Sequence, residues 1–277
     1  MTFFEFCMSY GVMLNRMPPA GRWVRVPTED KPRSRNGAVK FMGDFGLCQN
    51  WATMTEPAVW RDQAVSKDAQ KRIRTVATEA DRQARENAQK AAQRAAAILA
   101  ECELAVHPYL AAKGFDGELA NVWNRETDNL MVIPMRRGSE IVGCQLIKPD
   151  GDKKFLYGQR SGGAEFVFGQ QGMHVLCEGY ATALSARAVL RNLKTAAVVH
   201  ATFSAGNMKK VADGLPAGLV IADNDASGTG ERVAREIGWP YWMSDVVGED
   251  FNDVHQRLGV FSLAMQLKQV MQMRRRA

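Results

Sequence analysis

The chain has 277 residues, of which 46% are hydrophobic and 24% are charged, and its formal net charge is +6. No apolar run approaches the ~20 residues of a membrane helix, and the five scattered cysteines, without a C-x-x-C pair, argue against a disulfide framework and a zinc ribbon. We therefore expect a protein of the reducing cytoplasm, with no zinc and no membrane partner, and the basic balance favours a polyanionic ligand.

Residues 1–57 are predicted to form a small basic α+β module. Three strand candidates follow a helix-like opening: Arg22–Pro27, Gly37–Met42 and Phe45–Trp51. Basic residues alternate with Trp23, Phe41 and Trp51, which is compatible with a surface that binds single-stranded DNA through backbone charge and base stacking. A small solvated sheet with these aromatic residues in its core fits the same pattern equally well.

A long helix is predicted over residues 58–106. This segment is free of Gly and Pro and rich in Ala, Arg, Gln, Glu and Lys, which is a helix-forming composition. Its apolar residues form only a thin stripe, so we expect an exposed spacer helix whose mixed charges face solvent.

The rest of the chain is predicted to be an α/β region preceded by a small β-rich segment. Residues 107–171 are predicted to form a β-meander with the strands Leu130–Met135, Ile141–Lys148 and Lys153–Gly158. Residues 172–258 alternate strands with helices, which predicts a parallel sheet with helices on both faces. Its predicted strands are His174–Cys177, Ala196–Ala201, Leu219–Ala222 and Tyr241–Met243. Residues 259–277 are predicted to form a carboxyl-terminal helix with a basic tail.

Acidic residues follow two strands of this predicted sheet: Glu178 follows the first, and Asp223 and Asp225 follow the third. Because the carboxyl ends of parallel strands meet at one edge, we expect the three carboxylates to lie together. Unneutralised, they repel and raise each other's pKa, so they predict a divalent cation and magnesium-dependent phosphoryl chemistry. Taken singly, the Glu178–Gly179 pair also fits a plain turn, and Asp225 and Ser227 also fit turn and capping roles.

A third acidic cluster follows the fourth predicted strand, at Gly248–Asp253. Asp250, Asn252 and Asp253 supply oxygen ligands of the type that hard cations bind. The same segment also fits a loop that leads into a helix over Val254–Leu258.

The sequence resembles those of the Toprim primases encoded by phages and plasmids. These primases belong to a superfamily that also includes bacterial-type primases, topoisomerases and certain nucleases. The motifs that carry the resemblance are His107–Gly114 (HPYLxxKG), Glu178–Leu184 (EGYATAL) and Asp250–Asp253 (DFND). The meander also matches the segment that these proteins have just before Toprim. The resemblance covers roughly residues 107–259, and residues 20–51 are more loosely similar to the template-binding module of the family.

The resemblance implies a DNA primase that makes short RNA primers from ribonucleoside triphosphates on single-stranded DNA, in a bacterial host cytoplasm. Asp223 and Asp225 would be the principal ligands of Mg²⁺, for which Mn²⁺ can substitute, and Glu178 would be a ligand or the base for the attacking 3′-hydroxyl. Asp250 and Asp253 would complete a second metal shell. The candidates for contacts with nucleotide or nucleic acid are Lys113, Arg136, Lys148, Lys153, Lys154, Gly179 and Asn252.

Two features depart from the family pattern. The zinc-ribbon cysteines of many such primases are missing, so template recognition by the amino-terminal module stays open. No Gly-x-x-x-x-Gly-Lys-Ser/Thr motif occurs, so we expect any helicase partner to act in trans. A Toprim nuclease would use the same acids to activate water, and a non-catalytic single-strand-binding factor would keep only the binding surface. The meander and the basic amino-terminal module favour the primase.

Overall fold

The computed structural model describes residues 1–54, 56–62, 67–125 and 128–274. The chain divides into two units, Met1–Glu86 and Asn87–Ala277. Within the described ranges, no helix combines the length and the apolar character that crossing a bilayer requires.

The first unit is an antiparallel sheet packed against one short helix. Its elements are α1 (Phe3–Ser9), β1 (Trp23–Val26), β2 (Gly37–Phe41), β3 (Phe45–Asn50) and β4 (Ala58–Arg61), and the strands pair in that order. Thr2 and Glu5 start α1 as a reciprocal capping box. Gly46 is required on β3 because a Cβ there would lie 2.2 Å from a ring carbon of Phe3. The three predicted strands are confirmed, and β4 is an additional strand within the segment predicted as helical spacer.

A long helix and an antiparallel meander follow. The elements are α2 (Lys67–Ala100), β5 (Glu103–Ala105), α3 (Pro108–Ala112), β6 (Ala120–Asn124), β7 (Asn129–Arg137), β8 (Glu140–Ile147) and β9 (Lys153–Phe155), with the strands in the order β5-β6-β7-β8-β9. Ala95 and Ile98 of α2 are buried against Trp123 and Val132 of the meander. The end of the helix is therefore a packing element, where an exposed spacer was expected. Residues 63–66 of the predicted spacer lie outside the described ranges.

The last part of the chain forms a five-stranded sheet between helices. Its elements are β10 (Phe166–Phe168), β11 (Met173–Cys177), α4 (Tyr180–Asn192), β12 (Ala197–Ala201), α5 (Ala205–Ala212), β13 (Leu219–Ile221), α6 (Thr229–Ile237), β14 (Tyr241–Trp242) and α7 (Phe251–Arg274). The strand order is β10-β12-β11-β13-β14, in which β10 is antiparallel to β12 and the other pairs are parallel. The predicted alternation of strands and helices is confirmed, whereas the antiparallel edge strand was not anticipated.

Helices cover both faces of this sheet, and alternate side chains of β11 therefore pack into two different cores. Val175 and Cys177 pack with residues of α4 and α7, and Leu176 packs with residues of α5 and α6 on the opposite face.

Gly259 interrupts α7 with a φ of 76°. The helical segment after Gly259 places Leu263 and Leu267 in the same core as Val175. Packing of the sheet therefore continues across the boundary that the sequence predicted at residues 258 and 259. Residues 275–277 of the predicted tail lie outside the described ranges.

A further core joins the meander to α4. Tyr109, Leu110 and Ile133 are buried together with Tyr180 and Leu184. Lys153, the first residue of β9, is near enough to the carboxyl ends of the parallel strands to act on the charges of Glu178 and Asp223.

Candidate active site

Glu178 follows β11 and Asp223 follows β13. Because these are neighbouring parallel strands, both residues lie at the carboxyl edge of the sheet. Burial raises the pKa of Asp223 to about 8, and the charges of Glu178, Asp250 and Asp225 add to this increase. Burial also raises the pKa of Glu178, with a further contribution from Asp225. The structure thus brings together the acids that the sequence singled out, and they repel one another.

One oxygen of this group is without a partner. Asp223 Oδ1 is buried and accepts no hydrogen bond from the described part of the chain. Leaving a buried acceptor unpaired costs about 1–3 kcal/mol. Among the described residues, no three His, Cys, Asp or Glu side chains are already gathered as a metal-binding group. The donor set has the hard oxygens that Mg²⁺ prefers, but side chains around Asp223 would have to move to enclose an ion.

Asp225 holds the turn that leads into α6. Its Oδ1 accepts hydrogen bonds from the backbone N–H groups of Ser227 at 2.8 Å and Thr229 at 3.4 Å, and from the Ser227 hydroxyl. Burial opposes ionisation, but these hydrogen bonds prevail and lower the pKa of Asp225. The turn role that the sequence left open is therefore present, together with the charge that Asp225 contributes to the edge.

Gly230 and Gly179 both lie at this edge, but they differ in whether the packing leaves room for a side chain. A Cβ at Gly230 would lie 2.2 Å from the carbonyl oxygen of Asp223, so the approach of α6 to the strand end requires glycine. A Cβ at Gly179, the N-cap of α4, would meet only Thr182 Oγ1 at 3.8 Å, so packing does not require glycine there. Gly230 was not among the residues predicted to matter, although its place at the start of a helix just after the acids was an available signal.

Among the predicted basic residues, Lys153 acts on both Glu178 and Asp223. Its charge opposes the increases in the pKa of Glu178 and Asp223, although burial and the acidic neighbours outweigh it. Its ammonium lies 5.5 Å from the centre of the Tyr109 ring, which is a cation–π contact. Lys153 is therefore seated on an aromatic ring at the margin of the acidic edge.

Tyr109 also lies at the margin of the acidic edge, and in the sequence it stood out only as part of the His107–Gly114 motif. Its side chain is 3% exposed, and its hydroxyl is buried with no hydrogen-bond partner in the described part of the chain. Burial raises the pKa of Tyr109, while the charge of Lys113 opposes the increase and that of Asp250 adds to it. The phenol therefore lies among the charges of the same edge.

Asp250 and Asp253 start α7. The backbone N–H of Asp253 donates to Asp250 Oδ1 at 2.9 Å, and that of Asp250 donates to Asp253 Oδ2 at 3.1 Å. This is a reciprocal capping arrangement. Lys113 Nζ lies 3.7 Å from Asp253 Oδ1. Both carboxylates are thus bound within the protein, although the charge of Asp250 still acts on Asp223.

Asn252 is fully buried between three elements. Its Nδ2 donates to the carbonyl oxygen of Lys113 at 2.9 Å and to Ser185 Oγ at 3.0 Å, and its Oδ1 accepts from Gln256 Nε2 at 3.1 Å. The amide joins α7 to the end of α3 and to α4. Its two donor positions are used inside the fold, where the sequence analysis expected a contact with nucleotide.

The other predicted phosphate contacts lie in the meander. Arg136 Nη1 donates to the carbonyl oxygen of Ser139 at 2.9 Å, and Lys154 Nζ lies 3.4 Å from Asp152 Oδ2. The backbone N–H of Lys148 donates to the carbonyl oxygen of Asp152 at 2.9 Å. Arg136 lies near the end of β7, Lys148 directly follows β8, and Lys154 lies on β9. Of the predicted basic residues, Lys153 is the one whose charge acts on Glu178 and Asp223.

No protein-family model matches the chain, and no curated protein matches it. Among solved structures, one similar chain belongs to a complex of the bacteriophage T7 lagging-strand DNA polymerase with primase domains of two gp4 subunits, bound to an RNA/DNA hybrid and dTTP. The match covers 60% of this chain and 91% of that chain, with 15% sequence identity and a TM-score of 0.43. At this level of similarity, neither a fold family nor an activity follows from the match.

Proposed function

We propose that this chain is a Toprim-type DNA primase, which uses a divalent metal to synthesise short RNA primers on single-stranded DNA in phage or plasmid replication. The observation that supports this most strongly is the pair of half-buried, mutually repelling carboxylates of Glu178 and Asp223 beside Lys153. Carboxylates in this state favour a hard cation, and an ammonium next to them suits phosphate groups.

In this proposal Asp223 and Asp225 hold Mg²⁺ or Mn²⁺, Glu178 is a further ligand or the base, and Asp250 and Asp253 lie further out. The unpartnered Oδ1 of Asp223 supports the assignment because a cation would satisfy it. When bound, such a metal lowers the pKa of an attacking hydroxyl and neutralises charge on the phosphoryl oxygens.

The side chains of the protein would perform the remaining work. Lys153, seated on the Tyr109 ring, would bind the triphosphate of the incoming ribonucleotide. Glu178, whose pKa is raised by burial, is suited to accept the proton of the primer 3′-hydroxyl. The main contribution of the protein is then to orient the two reactants and to balance their charge.

The first unit would contact the template. Val24 and Val26 of β1 pack into its core, so Trp23 and Arg25 lie on the opposite face of the sheet. Trp23 is 44% exposed, and the guanidinium of Arg25 lies 5.4 Å from the centre of the Trp51 ring. Exposed tryptophan rings beside cations are suited to stacking with single-stranded bases. A replicative helicase would act in trans.

Primer synthesis tests this proposal. Wild type and an Asp223→Ala/Asp225→Ala double variant are incubated with single-stranded DNA, labelled ribonucleotides and Mg²⁺ or Mn²⁺. We expect short labelled oligomers from the wild type alone. Asp245→Ala, which removes an exposed acid from a neighbouring loop, is the matched control and should retain activity.

Other products would assign a different function. A shortened template without labelled oligomers would indicate a nuclease that uses the same acids to activate water. If neither product forms on varied templates while both proteins bind single-stranded DNA, the chain is a non-catalytic binding factor. A Trp23→Ala/Trp51→Ala variant with unchanged DNA affinity would remove the template role of the first unit.

A further inference from the structure

Phe203 has a strained backbone beside the acidic edge. It follows β12, and its φ of 67° lies in the left-handed region, which residues other than glycine adopt only with strain. Its backbone N–H donates a hydrogen bond to the carbonyl oxygen of Glu178 at 2.8 Å. The strained conformation therefore holds Phe203 next to a residue of the candidate site.

Phe155 meets the ring of Phe203 from the meander. The two ring centroids are 6.3 Å apart with an interplanar angle of 82°, which is an edge-to-face contact. Phe155 lies on β9, the outer strand of its sheet, and it is 46% exposed. The exposed ring of Phe155 is thus packed on one side against the ring of Phe203, whose backbone is hydrogen-bonded to Glu178.

Lys153 connects this aromatic surface to the acids. Side chains two positions apart on a strand project from the same face, so Lys153 and Phe155 share one face of β9. Lys153 also acts electrostatically on Glu178, to which Phe203 is hydrogen-bonded. The edge therefore has a charged end suited to metal and phosphate, and an aromatic end next to it.

We infer that Phe155, braced by Phe203, stacks against the base of a nucleoside triphosphate whose phosphates lie at Lys153 and the acidic residues. This inference rests on the proposed function, which supplies the nucleotide. Stacking uses the π face that every base has, so the subsite accepts purines and pyrimidines alike. The choice of base then has to come from the template.

Binding measured by titration calorimetry with Mg²⁺ and without template tests the inference apart from catalysis. The probes are ATP, CTP and inorganic tripolyphosphate, which has the phosphate end alone. Phe155→Leu keeps the apolar bulk and removes the ring, so we expect roughly tenfold weaker binding of both nucleotides and unchanged binding of tripolyphosphate. Phe155→Trp should restore nucleotide affinity. Phe261→Leu, at a phenylalanine of α7 that is 69% exposed, is the matched control and should change neither.

The outcomes separate this inference from the proposed function. No loss of nucleotide affinity in Phe155→Leu, or an equal loss for tripolyphosphate, overturns the stacking subsite. A wild type that binds no nucleotide overturns it as well. Nucleotide binding that depends on Phe155, in a protein that makes no primers, supports the subsite and removes the primase activity.

Discussion

Two acidic loops leave the same edge of the parallel sheet, and the protein uses their carboxylates differently. The first loop, residues 223–229, follows β13, and the second loop, residues 244–253, follows β14. In the second loop Glu249 accepts a hydrogen bond from Ser244 at 2.8 Å and pairs with Arg257 at 2.7 Å. Asp250 and Asp253 form the capping arrangement of α7. Three acids of this loop, Glu249, Asp250 and Asp253, therefore find partners within the protein, while Asp245 is exposed.

In the first loop, the fold does not supply hydrogen-bond partners for all of the carboxylate oxygens. Asp225 is bonded to the turn before α6, but Asp223 keeps a buried oxygen without a partner and a raised pKa. In sequence, both loops are short acidic segments after a strand. The difference indicates that an acidic segment is available for chemistry where the fold does not itself supply the partners of its carboxylates.

Replacing Asp223 with Asn should give the largest effect and separate the two loops most clearly. Loss of the carboxylate should weaken Mn²⁺ binding by at least about 100-fold, since even weaker changes around metal ligands cost 10–100-fold. The free energy of unfolding of the metal-free protein should increase by about 1 kcal/mol or more at pH 7. The raised pKa of Asp223 means that folding takes up a proton that the carboxylate of the unfolded chain does not hold, and Asn removes this cost. Calorimetric titration with Mn²⁺ and denaturation in chelator measure the two quantities.

Asp250→Ala is the matched variant from the second loop. Loss of the cap of α7 should lower the free energy of unfolding by about 1 kcal/mol, and Mn²⁺ affinity should fall less than in Asp223→Asn. The contrast between the loops breaks if Asp250→Ala abolishes Mn²⁺ binding and Asp223→Asn leaves it intact.

Replacing Asn252 with Ala tests whether the second loop is a structural brace. The change removes both donor bonds and leaves the carbonyl oxygen of Lys113 and the hydroxyl of Ser185 without this partner. We expect the free energy of unfolding to fall by about 3 kcal/mol, as measured by urea denaturation. Gln256→Ala, at the exposed partner of the same amide, should cost much less. Equal costs for the two variants would mean that the buried amide does not brace α7.

Gly230→Ala sharpens the description of the first loop. The added Cβ would lie 2.2 Å from the Asp223 carbonyl oxygen, so α6 or the strand end must shift. We expect a loss of about 2 kcal/mol in the free energy of unfolding and weaker Mn²⁺ binding in the same variant. Gly206→Ala is the control, because a Cβ there has no atom within 4 Å, and it should be neutral or slightly stabilising. A neutral Gly230→Ala would show that the close approach of α6 is not required.

His174 provides the smallest effect and a pH baseline that is independent of both loops. It lies at the start of β11, with its Nδ1 2.9 Å from Nε2 of His200, and burial together with His200 lowers its pKa while Glu165 opposes the decrease. The unfolded chain therefore takes up this proton at a higher pH than the folded chain, so the free energy of unfolding should decrease as the pH falls below about 6.5. Thermal denaturation between pH 5 and pH 8 should show a shallower decrease for His174→Asn. An identical profile for the two proteins would assign the slope to other groups.

Much of the fold could be predicted because its elements are regular within short segments. The parallel strands β11, β12, β13 and β14 lie within two residues of their predicted bounds. β10 was missed because three residues, Phe166–Phe168, are too few to show a period.

The site was predictable only in part, because several of its contacts join distant segments. The acids follow strands, and this local pattern was enough to find Glu178, Asp223 and Asp225. Asn252 is bonded to a residue 139 positions away, and no local pattern indicates that it is buried. The proximity of Tyr109 to the acidic edge depends in the same way on the packing of the meander against α4.

Lys153 has a consequence for the order in which the protein folds and meets its ligand. Its ammonium offsets part of the repulsion between Glu178 and Asp223, and it does so with a group that the chain itself supplies. The carboxyl edge of the sheet can therefore form during folding with or without a bound cation. If the proposed cation binds here, folding of this surface and binding of the cation would be separate events, because Lys153 is part of the chain itself.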